Sequence, residues 1–168
     1  MSDDVDNLPD PPGAPTQRRR PSLYRFQLIG LPFLMAIPVL ALFGVFGERW
    51  TEVEAASGVL AVSVRYPAVF RYKMIDAIEL HITNRGAVPI DTVTVALDTA
   101  YAGRFSTVTA VPPFTGSFEV DIPRIDARET RRVRIEIQGE RYWSHTGELT
   151  VASRTDTIRV PLETTVFP

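Results

Sequence analysis

Apolar and polar positions follow two different rhythms along this chain, and the change falls near residue 58. Before it, FQLIGLPFLMAIPVLALFGVFG (26–47) holds no charged residue and one strongly polar one, Gln27. After it the period becomes two. AIELHITN (77–84) sets Ile78, Leu80 and Ile82 on one face against Glu79, His81 and Thr83 on the other. TVTVALD (92–98), FEVDI (118–122) and RVRIEIQ (132–138) alternate in the same way; VLAVSVRY (59–66) opens the series. ELTVAS (148–153) and TIRVPLETTV (157–166) close it, joined through Arg154-Thr155-Asp156 as a hairpin. Turn residues separate the runs at Asn84-Arg85-Gly86, Ala102-Gly103, Pro112-Pro113, Thr115-Gly116 and Thr146-Gly147. With the weaker run Phe105 to Val111 there are about eight short strands and no convincing helix among them. This predicts an all-β fold, an Ig-like antiparallel β-sandwich of 7–8 strands, with Pro161 marking an edge or a bulge.

The apolar run reads as one membrane crossing. From Phe26 to Phe46 there are 21 residues, thirteen of them Leu, Ile, Phe or Val. As a helix they would extend about 31 Å, against roughly 30 Å of hydrocarbon. Arg18, Arg19, Arg20 and Arg25 precede the run, while Glu48, Arg49, Glu52 and Glu54 follow it, so the amino-terminal side is expected to stay in the cytoplasm. Trp50 suits a headgroup-level position. A cleaved secretory signal is the rival reading; its apolar core is usually about 7–15 residues, and the nearest small-residue site here, Val53-Glu54-Ala55, lies beyond a charged stretch. A buried soluble helix is the third, opposed by Pro32 and Pro38. The expected organisation is therefore a disordered, Asp- and Pro-rich tail with a basic flank (1–25), a transmembrane helix (26–47), a linker (48–57) and an exported sandwich (58–168). The proline spacing of Pro9, Pro12 and Pro15 leaves a docking role for the tail open.

Composition narrows the chemistry. A net charge of −2 over 168 residues, with basic residues dispersed among acidic ones beyond the tail, sets nucleic-acid binding aside. The absence of cysteine removes disulfides, thiolate metal sites and cysteine nucleophiles together. Arginine stands almost to the exclusion of lysine, Lys73 being the single one, a usage that accompanies GC-rich bacterial genomes. The two histidines, His81 on a wet strand face and His145 in the loop YWSHTG, have no second imidazole near them in sequence, and a blue-copper centre would need a cysteine thiolate. Serines 57, 63, 106, 117, 144 and 153 sit in no nucleophile motif, and Glu119 and Asp121 share a sheet face as carboxylates routinely do. No catalytic residue, metal ligand or cofactor is expected. The aromatic cluster Arg141, Tyr142, Trp143 and His145 admits two readings: Trp143 plugs the end of the sandwich, or the cluster is a partner-binding hot spot, where Trp, Tyr and Arg dominate. A second group, Arg65, Tyr66, Phe70, Arg71, Tyr72 and Lys73, reads mostly as strand surface and core.

The stretches IELHITNRGAVPIDTVTVALD, IPRIDARETRRVRIEI and GELTV resemble bacterial Ig-like cell-surface modules of the CARDB type. The likeness covers roughly Ile75 to Val166 and lies in turns and alternation, so it implies fold rather than activity. Arg128 stands where such modules commonly have glycine, and the turn there is expected to differ in type. The cysteine pair and tryptophan of antibody domains are absent. Together these features predict a single-pass protein of a bacterial cytoplasmic membrane whose domain faces the periplasm or the cell exterior. It would act as a non-enzymatic interaction module with the bilayer and a membrane-proximal protein as partners. An exported small-ligand or metal carrier, or a cleaved adhesion domain, is the alternative.

Overall fold

The computed structural model describes residues 22–42 and 47–168, with side chains from Gly30 onward in the first stretch. The chain divides into two compact units, Met1–Val45 and Phe46–Pro168. In the first, helix α1 spans Ser22–Leu42 and contains Pro32 and Pro38. Every residue from 30 to 42 is exposed, Phe33 at 73 % and Leu42 at 90 %. Among the described residues no helix is long and apolar enough to cross a membrane. The expected span, 26–47, overlaps α1 as far as Leu42 and takes in residues 43–46, which lie outside the described residues. Arg18, Arg19 and Arg20 of the expected tail lie outside them too, and Arg25 falls within α1.

The described part of the second unit forms nine strands and one helical turn: β1 (Arg49–Ser57), β2 (Leu60–Arg71), β3 (Ile75–Asn84), β4 (Ile90–Leu97), α2 (Thr99–Ala102), β5 (Phe105–Val111), β6 (Glu119–Ile125), β7 (Thr130–Gly139), β8 (Trp143–Ala152) and β9 (Thr157–Phe167). Hydrogen bonding runs without interruption along β5-β7-β3-β2-β9-β8-β4-β6, with β1 on the outer side of β2. The fold is all-β and sandwich-like, but its two layers, β1-β2-β3-β7-β5 and β9-β8-β4-β6, are one continuous sheet folded over on itself. The crossing is β2. Its first half pairs with β3 as far as Arg65↔Glu79, and beyond Pro67 it runs parallel to β9 from Val69↔Thr165 to Arg71↔Phe167. Proline has no N–H to donate, so it suits the position where β2 leaves one partner for another.

Three expectations are corrected. Residues 49–57 are the antiparallel strand β1, paired with β2 from Arg49↔Val69 to Ser57↔Leu60, and not a linker. Their alternation was masked because the half-buried positions, Thr51, Val53 and Ala55, are small or only weakly apolar, while Trp50, Glu52, Glu54 and Ala56 face out. Thr146-Gly147 lies inside β8 and makes no turn. Gly147 is there because Tyr101 packs directly over it, so a Cβ at 147 would run into the Tyr101 side chain. His145 is therefore a strand residue. Third, Arg128 has φ 65, the left-handed backbone that a glycine would take, so that turn keeps its form with an arginine in it. Pro161 sits where β9 pairs only with β8, its partner being Glu148, so that stretch is an edge without a bulge.

Alternate residues of both layers meet in a single apolar cluster that includes Leu60, Val64, Ile78, Leu80, Val95, Ile135, Leu149 and Val160, all at 0 % exposure. Full burial of one such side chain contributes roughly 1.5–3 kcal/mol, and in a chain without cysteine this cluster replaces covalent staples. Two polar side chains are buried with it, Asn84 and Thr164. Asn84 Nδ2 donates to the carbonyls of Val88 (2.8 Å), Ile125 (3.2 Å) and Asp126 (3.2 Å), and its Oδ1 accepts from the Gly86 N–H at 2.9 Å. Thr164 Oγ1 and the Tyr101 hydroxyl share a hydrogen bond of 2.7 Å.

Candidate functional site

The strand register carries β1 and the aromatic cluster to the same end of the sandwich. Arg49, Val69, Thr165 and Ser144 lie on one rung across β1, β2, β9 and β8; Phe70, Val166 and Trp143 follow on the next. The end where β1 begins, here the proximal pole, thus also holds the β2–β3 turn, the β7–β8 connection and the end of β9. The two turns are tied together by backbone bonds, Lys73 N–H to Gly139 O at 2.8 Å and Gly139 N–H to Met74 O at 3.3 Å. The opposite, distal pole holds the loop after Asn84 and the β8–β9 hairpin.

Each expected cluster residue can now be placed. Trp143 is 72 % exposed with φ 80, so it does not plug the sandwich. Tyr142 packs against Tyr72 with the rings tilted by 41° and their centroids 4.7 Å apart. Lys73 lies 5.5 Å from the Tyr72 ring centre and has φ 60. Arg141 is exposed, and its carbonyl is 2.8 Å from His145 Nε2, which holds that half-buried ring edge-on to Phe105. Of the second group, Tyr66 and Phe70 are core, whereas Tyr72 is half-buried, packed against that core at the proximal pole. Met74 and Ile75 complete it at 43 % and 64 % exposure. These two escape a linear reading because they are 67 or more positions away from Tyr142; only the β3–β7 register, Ile75↔Gln138, brings them in. Trp50 lies on β1 under the Arg65 guanidinium, 4.8 Å from the ring centre.

Titration is perturbed at few positions. Burial raises the Asp76 carboxyl and Glu48 adds to the effect, against the Ala77 N–H bond, Arg134 and Arg65. Burial pushes the Tyr101 phenol up to about 12, with the Thr164 bond working the other way. The bond to Asp126 raises the exposed Arg124. Among the described residues no group of three or more His, Asp or Glu side chains is placed to hold a metal ion. His81 stands on the outer face of β3 beside a shallow cleft of about 360 Å³ that Glu54, Ser63 and Arg85 share. A larger groove of about 650 Å³ lies at the distal pole, between the Gly86–Thr92 stretch and the Ala152–Thr155 hairpin.

No family model matches the chain, and no curated protein does. Among solved structures, the CARDB domain of a Pyrococcus furiosus protein is similar in its solution form at 13 % identity and a TM-score of 0.45, covering 64 % of this chain and 94 % of that one. Its crystal form in complex with di-metal ions gives 10 % identity and 0.43, covering 71 % and 89 %. The GAE domain of GGA2p from Saccharomyces cerevisiae gives 10 % and 0.38, covering 70 % and 97 %. Likenesses at this level carry no argument about what this chain does.

Proposed function

We propose that this chain is a membrane-anchored, non-enzymatic interaction module: an Ig-like, CARDB-type sandwich held close to a bilayer by residues 26–47, serving as an accessory subunit of a membrane or envelope assembly. The observation that carries the reading is α1. From Leu28 to Leu42 it carries no charged or strongly polar residue, and all its described side chains from 30 to 42 are exposed, an apolar surface that calls for a cover. Lipid is the cover that the arginines before it and the acidic residues after it fit best. The strand assignment of 49–57 adds a constraint. Seven residue steps separate Leu42 from Arg49, at most about 25 Å of chain, a short tether that favours membrane-proximal partners.

Two measurements test this. Alkaline carbonate should leave the full chain in the membrane pellet, and protease added outside sealed cells or spheroplasts should remove the C-terminal domain. Release into the supernatant overturns the anchor. Crosslinking in membranes followed by mild detergent should then retain a stoichiometric membrane protein, lost when residues 26–47 are exchanged for an unrelated span. Background alone in both overturns the accessory-subunit reading.

A further inference from the structure

We propose that the proximal pole docks on the lipid headgroup layer, with Trp143, Tyr142 and Tyr72 as an interfacial belt that fixes the tilt of the sandwich on the bilayer. The inference rests on the anchored reading above and adds which surface faces the lipid.

Three independent features of the second unit converge on this pole. The first is position: β1 starts there, on the same rung as Ser144 and next to that of Trp143. A tethered domain explores the bilayer with the end from which its tether leaves, and over at most about 25 Å the docking is effectively intramolecular, so even weak affinity suffices. The second is chemistry. Tyr142 and Trp143 are exposed amphipathic rings, the kind that gathers at membrane–water interfaces; the half-buried Tyr72, packed on the core, backs Tyr142, and Ile75 and Met74 beside them add exposed apolar surface. The basic side chains around them, Arg49, Arg71, Lys73 and Arg141, outnumber the exposed acids, Glu48 and Glu140. Cations near a headgroup layer are attracted by anionic lipid, so this balance favours a mildly anionic surface. The third is backbone. Trp143 keeps a left-handed φ of 80, a strained conformation for a bulky L-residue, and the ring it presents is 72 % exposed. No core contact repays that conformation; contact with lipid would.

The test uses the full chain with Trp50→Phe, which leaves Trp143 as its sole tryptophan, reconstituted in phosphatidylcholine vesicles with a minor fraction of phosphatidylglycerol. The lipids are brominated either near the acyl carbonyl or near the chain end. A second chain, Trp50→Phe, Trp143→Phe and Val88→Trp, carries its fluorophore at the distal pole, where Val88 is 72 % exposed. Flotation with the vesicles comes first. We expect both chains to float, and shallow bromine to quench Trp143 several-fold more than the distal tryptophan and more than deep bromine does. If a chain does not float, the anchored reading falls. If both float and the two tryptophans are quenched alike, the anchor stands and the docked pole is wrong. A protein seated on the pole instead of lipid would leave Trp143 blue-shifted and unquenched, and that result also overturns the proposal. Should Trp50→Phe disturb folding, the wild-type chain against Trp143→Phe gives the same answer as the quenching lost.

Discussion

The two poles of the sandwich use the same costly backbone conformation for opposite ends. At the distal pole Arg128 (φ 65) stands in a turn with three of its N–H groups bonded within the domain: Arg128 N–H reaches Asn84 O, Glu129 N–H reaches Asp126 O, and Asp126 N–H reaches the Glu129 carboxylate. Asn84 lies at its centre, at 0 % exposure with every polar atom bonded. At the proximal pole Trp143 (φ 80) bends the chain so that a large ring points away from the core. Strain that closes a network of internal bonds belongs to architecture. Strain that holds an apolar ring in solvent has no internal return, and points to contact with something else.

The most damaging way to break this contrast is at the distal centre. Asn84→Ala removes one acceptor and three donated bonds at a buried position, leaving the Gly86 N–H and the carbonyls of Val88, Ile125 and Asp126 without that partner. At about 1–3 kcal/mol per orphaned buried group, with partial relaxation, a loss of roughly 3 kcal/mol or more is expected in urea unfolding. The membrane exposure of the proximal pole should be unchanged below the unfolding midpoint. A loss under about 1 kcal/mol would mean that water replaces the side chain and that the distal pole is looser than its bonds suggest.

The next largest effect lies between the poles, at Tyr101. Its phenol is held neutral by burial, with a pKa near 12 against an ordinary 10. Because the folded value is the higher one, the associated stability is complete below pH 10 and disappears as pH rises toward 12, about 3 kcal/mol at about 1.4 kcal/mol per pH unit. Thermal melts across that range should show a steep alkaline fall in the wild type and a shallower one in Tyr101→Phe. At neutral pH the same change leaves the Thr164 hydroxyl buried and alone, costing about 1–3 kcal/mol, while Tyr101→Phe with Thr164→Val should recover most of the loss. Equal alkaline slopes in the two proteins would refute the burial of the phenol.

Much of this fold is legible in the sequence because period two is a direct image of a half-buried sheet. Ile78-Leu80-Ile82 and Val133-Ile135-Ile137 face the core as their alternation predicts. What escapes is whatever a neighbour in space decides. Gly147 looks like a turn until Tyr101 is placed over it, and β1 looks like a tether until its half-buried positions find β2. Arg128 looks like a changed turn because residue type reports only a preference for left-handed backbone. For the candidate site, YWSH marked one half of the proximal pole. The other half, Tyr72 to Ile75, was hidden by pairing between strands roughly 65 residues apart.

The smallest expected effect separates the two poles most cleanly. Arg128→Gly and Trp143→Gly each release a left-handed residue, a relief of roughly 1–2 kcal/mol, against roughly 0.5–1 kcal/mol for the added freedom of glycine in the unfolded chain. Both proteins should therefore be more stable than the wild type, by about 0.5–1 kcal/mol, in urea unfolding. They should part in the bilayer. Hydrogen exchange of the full chain in nanodiscs, against detergent, should show protection of residues 72–75 and 140–144 in the wild type and in Arg128→Gly, and its loss in Trp143→Gly. A protein stabilised by removing the very residue that seats it has been carrying that strain for the contact. If Trp143→Gly proves less stable than the wild type, the ring has been packing against its own domain, and the proximal pole is architecture like the distal one.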